Sequence, residues 1–500
     1  MHKATILTAL AESLSSEAAS TVLPQGIACL EVRADLTGDP PIDQLRRKFK
    51  GQLLYTLRSR AERGADLSSA ADRSERLRAA ANHYDLIALE AHRDLTPELL
   101  ATVPPERRLI TWHGSAGDLS ELENRFATCA QVPARFYRVV PTATRPGEAL
   151  LPLLLLKSLR RADVISFSYG AVGFWSRLVA PLFGSPFISS ALDGSSEITG
   201  EPSVTRLIRD YGLPDLQPFD EIYGIAGNPV SHSLSPRLHN AAYRAFGKPA
   251  LFLPFHVESL GEFWSDVVES NALQSLGLSI AGLTVASPNK EAALTKATIS
   301  SPITRQADSA NILVRENGRW RADTTDPDVV FAASRERGVR VQRKRAAVIG
   351  CGGAGRAIAA GLSLSGADVT LVNRSVERGE RASQLLGFPY QLLKGFDVSG
   401  YEIVVNATPV GRDDGETPFT LENLDRNAVV IDLVYGSSPT PLVAGTATNG
   451  RTVIDGRAVL LTQVLRQFEI MTGRSMPVAL ARQSLSGDPS SLTVASGHGS

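Results

Sequence analysis

Five hundred residues exceed what one hydrophobic core can serve, since single cores stop growing near roughly 250–300 residues, so two or three domains are expected. The 52 basic and 52 acidic side chains cancel to zero net charge, and no block of like charge stands out, which argues against a nucleic-acid partner and for a small molecule. Cys29, Cys129 and Cys351 lie far apart without a C-x-x-C pair, which argues against a disulfide framework or a metal site and for a reducing, cytoplasmic compartment. The longest apolar run, residues 150–156, contains Pro152 and falls well short of the ~20 residues of a spanning helix, so no membrane partner is expected.

In chain order, residues 4–11 follow Met1-His2-Lys3 and alternate Thr with aliphatics, which reads as a first strand rather than a leader. Eight short apolar runs follow one another at 4–10, 27–33, 52–57, 85–90, 108–113, 136–140, 164–169 and 187–192, separated by stretches of helical composition. Eight such alternations predict a (β/α)8 barrel over residues 1–213, a compact one because the first helical segment, 13–23, is short. Residues 214–221, rich in Pro and Asp, read as a linker, and a new β/α alternation begins at Ile222. Residues 483–500 are rich in Ser and Gly and predict a disordered tail.

The run from Arg345 places Gly350, Gly352 and Gly355, with Gly353 and Ala354 between them, in a G-x-G-x-x-G after an apolar strand and before a helix. The first glycine permits the tight turn, the second lets backbone approach a pyrophosphate, and the third allows close helix packing. A dinucleotide site is therefore expected. At the end of the next strand the chain has Asn373-Arg374-Ser375, with Arg378 one turn on. Arginine rather than a carboxylate at that point suits a 2′-phosphate, so NADP is the expected cofactor.

Tyr223-Gly-Ile-Ala-Gly-Asn-Pro-Val-Ser-His-Ser-Leu-Ser-Pro resembles the opening signature of the shikimate dehydrogenase family. The resemblance continues through 284–290, Ala310-Asn311, 323–326, 406–411, Tyr435, Asp455-Gly456 and Gln463. It implies a two-lobed α/β enzyme that reduces 3-dehydroshikimate to shikimate with NADPH. Residues 222–325 would form the shikimate-binding lobe, 326–455 the Rossmann lobe, and 456–482 the helices returning to the first lobe. Lys290 and Asp326 match the catalytic pair, and a cationic lysine beside the ketone suits the negative charge that reduction places on its oxygen. Ser233 and Ser235 match groups for the carboxylate, Asn311 and Gln463 those for the ring hydroxyls, and Tyr435 a tyrosine beside the substrate. Asn406, Thr408 and Val410 match the strand-end loop beneath the nicotinamide. Two departures stand out. Pro327 follows Asp326, a proline suited to the first helical position that would also let Asp326 cap the helix, and Ala286 stands where a threonine is common, which leaves quinate open as a second substrate.

The N-terminal half resembles type I 3-dehydroquinate dehydratases, which implies a bifunctional dehydratase/dehydrogenase arrangement. Glu31 and Arg33 on one strand face, Arg58 with Glu62 nearby, His113, and Gly173 with Ser176-Arg177 match family motifs. The imine-forming lysine of that family falls on Arg138, and a guanidinium does not give up its proton to act as a nucleophilic amine. The last loop carries Glu197 and Glu201 where the family has uncharged residues. The expectation is a barrel that keeps its fold and has lost or altered dehydratase activity. Full bifunctionality, or a regulatory or scaffolding barrel, stay open, and oligomeric state is not legible.

Overall fold

A computed structural model describes residues 4–12, 26–193, 200–436, 438–448 and 450–486. The expected helical segment at 13–23 lies outside the described residues, as do Glu197 and residues 487–500. The last helix runs Val478–Ser486, so the expected tail does not begin at 483. Burial of Ala481 gives this helix an apolar anchor that the Ser-rich composition around it obscures.

The chain divides into two compact units, one of Met1–Ile222, Pro249–Val257 and Gly261–Ser279, the other of Tyr223–Lys248, Glu258–Leu260 and Ile280–Ser500. In the first, eight strands run β1 (Thr5–Leu10), β2 (Ile27–Arg33), β3 (Gln52–Thr56), β4 (Leu86–Glu90), β5 (Arg108–Gly114), β6 (Phe136–Pro141), β7 (Val164–Ser166) and β8 (Phe187–Ala191). Their order is β7-β6-β5-β4-β3-β2-β1-β8, with every pair parallel. This is a near-closed (β/α)8 barrel whose ladder ends at β7 and β8. Strands buried on both faces must be apolar on both, which is why the runs stand out in the sequence. Leu7, Leu54, Leu86, Leu109 and Ile165 share one core cluster, each contributing roughly 1.5–3 kcal/mol by full burial. Cys29 lies in the same cluster, and burial pushes its thiol up to about 12. The first unit also takes β10 (Ala250–His256).

In the second unit, β9 (Glu221–Gly227), β11 (Ser279–Val285), β12 (Ile299–Ser300), β13 (Ile312–Glu316) and β14 (Arg319–Asp323) run in the spatial order β9-β11-β13-β14-β12. A second sheet has β15 (Arg345–Ile349), β16 (Asp368–Asn373), β17 (Tyr390–Leu392), β18 (Ile403–Asn406), β19 (Val429–Asp432) and β20 (Thr452–Ile454), ordered β17-β16-β15-β18-β19-β20 and parallel throughout. Chain order reverses between β16 and β18 around β15, which opens the crevice at the strand ends where doubly wound sheets bind ligands. Buried Val, Ile, Leu and Ala side chains fill separate clusters that both draw on the β15 and β16 strands.

Among the described residues no helix is long and apolar enough to cross a membrane, and all three cysteines are buried and free.

Candidate active site

The glycine turn between β15 and the helix Gly353–Leu364 is built as the sequence pattern requires. Gly350 has φ +107°, a conformation side chains disfavour, and a Cβ on Gly355 would lie 1.8 Å from the Gly350 carbonyl. A Cβ on Gly352 would meet nothing within 4 Å, so that stretch of backbone is open to a ligand. Asn373 at the end of β16 accepts the Cys351 N–H at 3.1 Å and donates to the Ser375 carbonyl at 2.9 Å, tying the two strand ends together. Ser375 caps the helix Val376–Leu386, accepting from Arg378 N–H. The side chains of Arg374 and Arg378 are exposed beside it. An open glycine turn next to two exposed guanidinium groups is a donor set that fits a dinucleotide carrying an extra phosphate.

Lys290 opens the helix Lys290–Thr295. Its Nζ donates to Asp326 Oδ2 at 2.7 Å and to Oδ1 at 3.0 Å. Asp326 is 1% exposed and also accepts at Oδ1 from Asn311 Nδ2 (3.1 Å) and Gln463 Nε2 (2.7 Å). Asn311 in turn accepts the Thr325 N–H at 2.8 Å, and Gln467 donates to Thr325 Oγ1 at 3.1 Å. A buried carboxylate is tolerated when such donors replace water. The capping role expected of Asp326 is corrected here: Pro327, not Asp326, is the N-cap of the helix Asp328–Arg337, and no side chain caps it. Pro327 sits one place ahead of the first helical position, and the Asp326 carboxylate is engaged by Lys290, Asn311 and Gln463 rather than by the helix N–H groups.

The cofactor turn and the lysine are neighbours, since a Cβ on Gly353 would lie 3.0 Å from Lys290 Cβ, and Ser309 Oγ donates to the Gly353 carbonyl at 3.0 Å. Arg356, which sequence reasoning missed, is buried and donates to the carbonyls of Ala307 (2.8 Å) and Asp308 (3.0 Å) and to Glu291 Oε1 (2.7 Å). It fastens the nucleotide helix to the residues flanking the lysine. Its place directly after the third glycine was the available signal.

Asn406 is fully buried. It accepts from Thr408 Oγ1 (2.6 Å) and donates to Asp432 (2.9 Å) and to the Val410 carbonyl (3.2 Å). Asp432, also missed in the sequence, is held by Thr440 Oγ1 at 2.6 Å, and burial raises its carboxyl. These bonds fix the loop after β18 from within. At the other lobe, Ser233 Oγ accepts the Ser235 N–H at 3.2 Å, and Ser235 is buried as the first residue of the helix Ser235–Ala245. Tyr435 hydrogen-bonds to Ser233, and burial raises its phenol.

The barrel gathers its predicted residues in the lumen. Glu31 accepts from Thr56 Oγ1 (2.7 Å) and Arg138 Nη1 (2.8 Å), with Arg58 at 3.8 Å. Burial by itself would raise the Glu31 carboxyl, but Arg138 and Arg58 outweigh it and hold the group at about 2. Arg33 forms a two-point pair with Asp35 at 2.8 and 2.7 Å. His113 Nδ1 lies 2.8 Å from Glu62 Oε2, which also accepts from Thr111. Burial and the Glu90 charge push Glu62 up to about 8. Burial and the surrounding arginines push His113 well down. Arg177 lies over the Phe167 ring at 4.5 Å and 4.0 Å from Glu201.

A parallel doubly wound sheet whose glycine turn abuts a lysine paired with a buried aspartate defines a nucleotide-dependent oxidoreductase. The family model for type I 3-dehydroquinase matches residues 5–215, and that for the shikimate dehydrogenase substrate binding domain matches residues 225–313. The shikimate dehydrogenase (NADP(+)) of Methanocella arvoryzae is 36% identical over 272 residues, covering 53% of this chain and 97% of that protein. The bifunctional 3-dehydroquinate dehydratase/shikimate dehydrogenase of Arabidopsis thaliana chloroplasts is 26% identical over 495 residues, covering 92% of this chain and 80% of its own. A crystal structure of shikimate 5-dehydrogenase from Thermus thermophilus in complex with NADP(H) and shikimate is 25% identical, covering 53% of this chain and 99% of that one at a TM-score of 0.48. The chain belongs to the shikimate dehydrogenase family, in its bifunctional arrangement with a 3-dehydroquinate dehydratase domain in front.

Proposed function

We propose that the second unit reduces 3-dehydroshikimate to shikimate, and that Lys290 and Asp326 carry the reaction. The observation that supports this most is the pair of half-buried Lys290 and buried Asp326 at 2.7 Å lying against the nucleotide turn. NADPH bound along Gly350, Gly352, Gly353, Ala354 and Gly355 would supply the hydride. Arg374 and Arg378 would meet its 2′-phosphate, with Asn373 and Ser375 shaping their turn. Asn406, Thr408 and Val410 would support the nicotinamide. Lys290 would stabilise the charge growing on the ketone oxygen and deliver its proton there, while Asp326 keeps the ammonium aimed. Asn311 and Gln463 would serve twice, holding Asp326 and meeting ring hydroxyls, and Ser233, Ser235 and Tyr435 would receive the carboxylate side. The lobes are residues 222–325 and 326–455 with 456–482 returning, after a barrel of 1–213 and a linker of 214–221. The compartment is cytoplasmic.

The barrel, in this reading, has lost imine chemistry because Arg138 stands at the lysine position and is tied to Glu31. The experiment supplies 3-dehydroshikimate or 3-dehydroquinate separately with NADPH and follows cofactor oxidation and products. Oxidation with 3-dehydroshikimate alone is expected, and absence of turnover with either compound would sink the dehydrogenase. Borohydride trapping of 3-dehydroquinate on the wild-type barrel would sink the account of Arg138.

A further inference from the structure

The barrel lumen holds more positive charge than its carboxylates answer. Arg33, Arg58, Arg138 and Arg177 are all within it or at its mouth, with side chains 8%, 15%, 2% and 3% exposed. Asp35 is fully engaged by Arg33, and Glu31 alone serves both Arg58 and Arg138. Glu62, pushed up to about 8, keeps its proton at neutral pH, and burial raises Glu201 as well. Four guanidinium groups thus share Glu31 and Asp35, beside two carboxyls, Glu62 and Glu201, that burial raises. The surplus shows in the hydrogen bonding: Arg58 Nε, Arg138 Nε and Nη2, and Arg177 Nε and Nη1 are buried with no partner among the described residues. A buried N–H left without an acceptor is destabilising, more so where it belongs to a charged group. A cavity of about 160 Å³ opens among Arg33, Arg58, Glu62, Arg63, His113 and Tyr169, with room for a small organic molecule; of the three arginines with unpartnered nitrogens, Arg58 lines it.

We propose that the barrel binds, without covalent chemistry, a small organic dianion, one acidic group facing Arg177 and the other Arg58 and Arg138. The inference rests on the reading that Arg138 has replaced an imine-forming amine and adds what the exchange provides. A lysine would offer a single ammonium, whereas the guanidinium spends one nitrogen on Glu31 and leaves two for an oxyanion. The second acidic group is a carboxylate or a phosphate ester, which share this chemistry.

Calorimetric titration of the full-length protein tests it, with NADP+ and shikimate saturating so that the dehydrogenase site does not report. The probes are malonate and 2-phosphoglycolate as dianions and acetate as a monoanion. Binding of one equivalent of at least one dianion, about tenfold or more tighter than acetate, is expected, and the tighter of the two identifies the second group. Arg138→Gln and Arg177→Gln should each weaken it at least tenfold, while Arg138→Lys, which keeps the charge but offers a single ammonium, should fall between the wild type and Arg138→Gln and guards against a misfolded Arg138→Gln. No binding of either dianion, binding equal to acetate, or affinity unchanged in both Gln variants of normal circular dichroism would overturn the proposal. A borohydride-trapped adduct on the wild type would instead overturn the reading beneath it, independently of these titrations.

Discussion

Each unit of this protein puts a cation against a buried carboxylate at nearly the same distance: Lys290 on Asp326 at 2.7 Å and Arg138 on Glu31 at 2.8 Å. The surroundings separate them. Asp326 receives further donors from Asn311 and Gln463, so Lys290 is one of several partners and can act on something else, its side chain 17% exposed. Arg138 is only 2% exposed, and its Nε and Nη2 have no partner among the described residues. An ammonium can pass on a proton and, once neutral, attack a carbonyl. A guanidinium can do neither at physiological pH. Similar pairs in one chain thus support chemistry in one unit and binding in the other.

Exchanging the two cations is the sharpest way to break the comparison. Lys290→Arg should cut dehydrogenase turnover about 10³-fold by removing the transferable proton, measured by NADPH oxidation; a loss under tenfold would make the lysine a mere counter-charge. The reciprocal Arg138→Lys should create an amine that borohydride fixes to 3-dehydroquinate, read as a mass increase on the β6 peptide, and its absence would mean that the lumen no longer admits the ketone. Gln463→Ala should lower kcat/KM about 10–100-fold, since it removes a hydrogen bond to a charged carboxylate, and steady-state kinetics with an unchanged melting temperature would locate the effect in the site.

The smallest expected effect concerns pH. The Glu62 carboxyl is raised from 4.5 to about 8 in the fold, so the folded barrel holds a proton there that the unfolded chain releases, and stability falls as pH rises from about 4.5 to 8. Glu62→Gln should flatten that slope, read as a smaller fall in melting temperature between about pH 5 and 8. An unaltered slope across this window would place the pH response elsewhere. Glu31 works in the opposite sense, its contribution present above about 4.5 and lost as pH falls toward 2.

The barrel strands were legible because parallel strands buried on both faces read as plain apolar runs; the expected 27–33 coincides with β2, and the other seven differ from the observed strands only at their ends. The glycine turn was legible because its backbone geometry leaves few alternatives to glycine, and the Lys290 motif because of its family resemblance. Arg356, Asp432 and Gln467 were not. Their partners lie 49, 26 and 142 residues away, and neither periodicity nor local spacing encodes a pairing over such separations. The capping role expected of Asp326 failed for the same reason: local logic saw a carboxylate before a proline, while its actual donors come from Lys290, Asn311 and Gln463.

That last donor bears on how the protein is made. The Asp326 carboxylate gains Gln463, and Thr325 gains Gln467, only from the helix Gly456–Thr472. During synthesis the barrel has all eight strands once Ala191 has emerged, but the dehydrogenase pocket must wait for a helix translated more than a hundred residues after Lys290. A chain that stops between Ser279 and Gly456 would hold every residue of the first unit and lack the helix that completes the Asp326 and Thr325 contacts, so truncation in that span would remove the reductase site before it touched the barrel.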